Sequence, residues 1–251
     1  MGRLRGKQHI GMINKNSFGT EMLIIDYINQ NKVLIEFQDR YKYQKYIDMA
    51  NFRKGNATNP YDKEVLGVAC IGDGDYSEKN NTSCYRTWRN MLTRCFDVKY
   101  QEKFPTYENT SVCSEWLNFQ NFAKWYYANY YLLPNERIEL DKDILYKGNK
   151  VYSPETCIFV PRRINSLLIN NKNKRGEYPL GVDFARGCYR ARCNTLEGSV
   201  FIGNYNTPNQ AFIAYKQYKE KYIKKIADMY KDKIPSKLYY ALYKFTIEES
   251  D

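Results

Sequence analysis

Residues 188–205, CYRARCNTLEGSVFIGNY, constrain the fold more than any other stretch of the sequence. Side chains alternate between two faces of a strand. Tyr189, Ala191 and Cys193 therefore share one face with Val200 and Ile202. Arg190, Arg192 and Asn194 take the other, with Ser199 and Phe201. The TLEG between the runs reads as a turn, and LGVDF just upstream supplies a third strand. Thr207 then reads as an N-cap, Pro208 as the first helical residue and Gln210 as the third. That is a capping-box helix start. The helix that follows turns Ala211, Phe212, Ala214, Tyr215, Tyr218, Tyr222, Ile226 and Met229 to one side. Lys216, Lys219, Lys224 and Lys225 lie mainly elsewhere on it. A last helix begins at Ser236 and carries Leu238, Leu242 and Phe245.

The apolar sheet face should pack on the helix. The other face suits a DNA groove. Arginine forks onto guanine or phosphate, asparagine pairs with adenine, and phenylalanine meets a thymine methyl. A solvated sheet face with a stray phenylalanine is the alternative. The segments YPLGV, YRARC and VFIGNYNTPNQAFIAYKQYKE together resemble the APETALA/ethylene-response-factor DNA-binding domain. The resemblance implies major-groove binding by a three-stranded sheet braced by one helix. It places Arg190, Arg192, Asn194, Ser199 and Phe201 at groove-facing positions. Arg192 stands where that family usually has an acid, so base preference does not carry over.

Residues 139–165 read ELDKDILYKGNKVYSPETCIFVPRRIN: a strand, a loop with Gly148 and Pro154, a second strand and a helix. With YRTWRNMLTRC and SVCSEWLNFQNFAKW upstream, they resemble a phage HNH-like family. The resemblance implies a β-hairpin and helix around one divalent metal, Mg2+ or Mn2+, that hydrolyses a phosphodiester. It makes Asp141, Lys142, Asp143, Asn149 and Asn165 the catalytic candidates, with Asp141 and Asn165 as metal ligands. Lys142 occupies the general-base position, where the family has histidine. A charged lysine is no base, although it can neutralise a phosphate. As alternate strand residues, Asp141 and Asp143 would point the same way. Three readings stand: a metal nuclease using Asp143 or metal-bound water as base; a fold that binds DNA without cutting; or an ion cluster joining the two aspartates to Lys142, Lys147 and arginines.

Toward the N-terminus, EMLIIDYI (21–28), KVLIEFQD (32–39) and YKYQKYIDM (41–49) read as three strands of a small sheet or barrel closed by Gly55 and Pro60. Its exposed Lys, Arg and Tyr either touch nucleic acid or form a solvated face. Residues 61–80 are a Gly/Asp/Asn-rich connector. From Thr82, the residues Tyr85, Trp88, Met91, Leu92, Cys95 and Phe96 recur at helical spacing, with Arg86, Arg89, Asn90 and Arg94 opposite. A second helix near 119–130 shows a core stripe of Phe119, Phe122, Ala123 and Tyr126.

The fold class expected is α+β, with an N-terminal β module at 1–62 and an HNH-like ββα domain with flanking helices at 63–168. A basic linker at 169–179 and a sheet–helix domain at 180–251 complete it. A formal net charge of +11 points to a polyanionic partner. Arg162, Arg163 and the linker cations Lys172, Lys174 and Arg175 extend the candidate DNA-binding set. The seven cysteines are odd in number and contain no C-x-x-C, which argues against disulfides and zinc and for reduced core thiols. Cys95, Cys113 and Cys157 sit at matching places in the HNH-like family, which implies a core cluster, with a three-cysteine zinc site as the alternative. His9 stands alone, so no His-rich metal site exists. No apolar run reaches membrane length and the N-terminus lacks a signal core, so a cytoplasmic protein of a phage-infected bacterium is expected. The partner expected is double-stranded DNA, cut by an HNH-like endonuclease. The alternative is a non-cleaving DNA-binding regulator or an inhibitor of a host defence protein.

Overall fold

The computed structural model describes residues 7–168 and 177–249, and the protein is α+β. Two compact units divide the chain, one ending at Tyr126 and one starting at Tyr127. Among the described residues, no helix is long and apolar enough to cross a membrane.

In the first unit, β1 (Ile13–Lys15), β2 (Glu21–Asn29), β3 (Lys32–Phe37) and β4 (Gln44–Ile47) form an antiparallel sheet in that order. Alternation puts Met22, Ile24, Val33, Ile35 and Phe37 on its buried face, against Met49, Phe52 and Ala57. The third strand is shorter than the sequence pattern suggests. Asp39 accepts from the backbone N–H of Tyr41 and Lys42 at 2.9 and 3.1 Å, and Lys42 adopts φ 52°. This Asx turn reverses the chain before pairing starts. At the other end, Asp48 accepts from Asn51 N at 2.7 Å and caps a helix that the alternation concealed, α1 (Met49–Lys54).

The same unit holds α2 (Thr82–Phe96), α3 (Val98–Lys103) and, as far as Tyr126, α4 (Phe119–Asn129). Trp88 is fully buried, packs 5.2 Å from the Phe119 ring and donates its indole N–H to Trp116 O at 2.6 Å.

In the second unit, β5 (Ile138–Asp141) pairs antiparallel with β6 (Ile158–Pro161), which runs directly into α5 (Arg162–Leu168). The C-terminal sheet has β7 (Val182–Ala185), β8 (Cys188–Thr195) and β9 (Gly198–Tyr205), with β8 central. Then come α6 (Pro208–Tyr230) and α7 (Ser236–Tyr243). Thr207 caps α6 by accepting from Gln210 N at 3.3 Å.

Helix α6 serves two cores. Its first half sets Ala211, Phe212 and Tyr215 against Ala191 and Cys193 of the sheet. Its second half sets Ile223, Ile226 and Ala227 against Ile158, Val160, Ile164 and Leu167 of the hairpin and α5. One helix thus braces both the sheet and the ββα hairpin. Lys219, expected to lie off the apolar side of the helix, is 5% exposed.

Gly181 opens β7 at φ 77°, and a Cβ there would come within 2.1 Å of the Tyr215 ring. Both the left-handed backbone and the missing side chain are needed. Gly181→Ala is expected to cost about 2 kcal/mol or more, read as a lowered urea midpoint. Gly187→Ala, with the same φ of 77° but open space around it, should cost less.

Candidate nucleic-acid interface

The sheet face forms as the alternation predicts. In the β8–β9 register, Arg192 sits opposite Phe201 and Asn194 opposite Ser199. All four are exposed, and Phe201 keeps 54% of its surface in solvent. The register slips between Ala191 and Arg192, a bulge. Bulges sharpen twist and bend the strand.

Arg190 is less available than its four neighbours. Asp183 of β7 lies directly opposite it, and its carboxylate accepts from the Arg190 guanidinium. The same carboxylate stands 3.6 Å from Arg192 Nε. Asp183 went unassigned in the sequence reading, although its place in LGVDF puts it on the polar face. An exposed pair of this kind contributes little stability. Its effect is to aim two guanidiniums side by side, and a phosphate or guanine edge can replace the carboxylate.

The hairpin residues are arranged differently from the expectation. Strand β5 ends at Asp141, and Lys142 and Asp143 fall in a bend. Asp141 Oδ1 accepts from the N–H of Asp143 and of Ile144, both at 2.9 Å. The two aspartates are therefore turn neighbours, and the expectation that they alternate along one strand does not hold. Burial first, and the nearby Asp143 carboxylate second, push the Asp141 carboxyl above its ordinary range. Lys142 is 8% exposed, bonds Asp143 at 3.1 Å and lies 5.9 Å from the Tyr152 ring centroid. Asn149 donates to the carbonyls of Lys142 and Val151, both at 2.7 Å, and so ties the loop to the bend.

Asn165 of α5 donates its amide N–H to Glu139 at 3.1 Å. Glu139 also faces Arg137 at 3.6 Å and Arg162 at 3.8 Å. Glu139 was missed because the resembled motif assigns its first role at Asp141. Its position two residues before Asp141 on β5 was the available signal. Lys147 donates to Thr246 O at 3.0 Å. Arg163 is exposed at the start of α5. Lys172, Lys174 and Arg175 lie outside the described residues.

Magnesium or manganese needs ionised oxygen ligands converging on one point. Here one Asp141 oxygen serves two backbone N–H groups, and Asn165 is turned to Glu139. The Lys142 ammonium in the bend occupies Asp143. Among the described residues, no three His, Cys, Asp or Glu side chains gather into a metal-binding group. The donor set as arranged does not suit a dication. Cys95 and Cys157 are buried thiols and Cys113 is half-buried.

The raised carboxyl makes a pH prediction. A carboxyl whose folded pKa exceeds its unfolded value of about 3.9 favours folding at low pH, and that contribution is lost as pH rises through the folded value. Asp141→Asn keeps an oxygen for the two N–H donors and removes the ionisation. It should raise stability at neutral pH by on the order of 1 kcal/mol and leave it unchanged well below pH 4, in urea titrations across that range.

Compared with family models, curated proteins and solved structures, the chain matches none. Its own geometry therefore carries the functional reading.

Proposed function

We propose that this is a phage-type protein that binds double-stranded DNA through the β8–β9 face and retains the hairpin-and-helix as scaffold without hydrolysing DNA. The cross-strand pairs Arg192–Phe201 and Asn194–Ser199, exposed on the face opposite α6, carry the reading. They set a cation, an amide, a hydroxyl and an aromatic ring on one surface. Such a surface offers base-edge hydrogen bonds and an apolar contact for a thymine methyl. The formal charge of +11 supplies long-range attraction to a polyanion.

The hairpin favours binding over cutting. Its general-base position, histidine in the resembled family, is a buried lysine held by Asp143. Supercoiled plasmid incubated with protein and magnesium, manganese or EDTA should stay supercoiled. Metal-dependent nicking that disappears in Asp141→Ala would sink the non-cleaving reading and restore the endonuclease. Salt-insensitive association with a bacterial defence protein, in place of DNA, would instead favour the inhibitor.

A further inference from the structure

The Lys219 ammonium is buried in the second unit with too few partners. It has three N–H donors. Among the described residues, it donates to the Asn194 carbonyl at 3.2 Å and no carboxylate pairs with it. Cys193 is the neighbour that acts on it electrostatically, and burial holds its pKa below the ordinary lysine value. The residue nevertheless borders open space. It lines a cavity of about 340 Å³ between β8, α5 and α6. That volume is at the low end of ligand pockets.

The lining has a sign. Lys219 supplies the positive charge, no carboxylate lines the cavity among the described residues, and the Arg192 guanidinium stands by Asp183 on the opposite face of the sheet. Tyr215 and Leu180 form an apolar wall. An ammonium in low dielectric with one hydrogen bond is destabilised unless an anion compensates it. A tetrahedral oxyanion matches this arrangement. Its several oxygens can accept the remaining Lys219 protons, which a single-atom anion satisfies less completely.

We infer that this cavity is a phosphate-binding site, with Lys219 as its buried cation. The inference stands apart from duplex binding by the sheet face, because Lys219 projects from α6, the helix behind that sheet. The phosphate could belong to a small molecule or to a DNA backbone, and the test separates the two.

Thermal unfolding of the full chain is followed at constant ionic strength while chloride is exchanged for inorganic phosphate, then for adenosine monophosphate, and finally with a short DNA duplex added. The expected result is a saturable rise in Tm with phosphate. In Lys219→Met, which keeps the apolar stem without the charge, the apparent phosphate affinity should fall about tenfold or more. Lys224→Met, on an exposed turn of the same helix, should behave as wild type. Should Lys219→Met not fold, Lys219→Gln, which keeps a donor for the Asn194 carbonyl, serves as the second variant, with the same expected loss. A Lys219-dependent rise with phosphate or the nucleotide assigns a small phosphate ligand. A Lys219-dependent rise with duplex alone assigns the backbone. No rise with any of the three, or an equal rise in wild type and both variants, overturns the site.

Discussion

The triple variant Arg192→Ala, Asn194→Ala, Phe201→Ala should lose about 100-fold or more of its affinity for a selected duplex while its unfolding midpoint stays within a few tenths of a kcal/mol of wild type. Each base-edge or methyl contact of this kind contributes about 1–3 kcal/mol of discrimination, and every 1.4 kcal/mol is tenfold. The three side chains are exposed on one sheet face, so truncating them leaves no core cavity. Fluorescence anisotropy on labelled duplex reads the loss, and circular dichroism in urea reads the stability. Asp183→Asn should act in the opposite direction. It removes the carboxylate that competes with phosphate for Arg190 and Arg192, so non-specific affinity should rise a few-fold. Unchanged affinity in the triple variant would return this face to ordinary solvated surface.

The second large effect lies in the first unit. Trp88→Ala should cost about 3–5 kcal/mol from lost packing. A further ~1 kcal/mol follows because Trp116 O loses its buried donor. Trp88 is fully buried against Phe119 and tilts against Tyr85 at 5.7 Å. Trp88→Phe should recover most of the packing and none of the hydrogen bond. Urea unfolding followed by circular dichroism separates the two contributions. A loss below about 1 kcal/mol would mean that the α2 stripe does not anchor this unit.

The parts of the fold legible in the sequence are those where one rule decides. Period two sorted β8 and β9 into faces because the sheet is wet on one side and covered by α6 on the other. The spacing of Tyr85, Trp88, Met91, Leu92 and Cys95 marked α2, since all five are buried on one helical stripe. The start of α6 was legible from the Thr207-Pro208 pair.

Other parts depend on contacts that spacing does not encode. Asp39 and Asp48 turn the 41–49 run into a turn, a short strand and a helix, although its tyrosines and lysines alternate like a strand. In the hairpin, alternation placed Asp141 and Asp143 side by side, but the Asx turn ends the strand first. Lys219 reads as one of several lysines on a basic helix. It is buried because α6 is flanked by two cores, which no local pattern reveals. The pairing of Asp183 with Arg190 is likewise a cross-strand register fact.

The central claim is that this chain binds duplex DNA by a cationic, base-reading face, and the salt dependence of wild-type binding tests it most directly. Each phosphate neutralised contributes about −0.9 to the slope of log K against log salt. A slope of about −3 or steeper, reduced by about one when Arg192 is replaced with alanine, is the predicted result. A slope near zero, or one that Arg192→Ala leaves untouched, would contradict the account and point to a protein partner or to another surface.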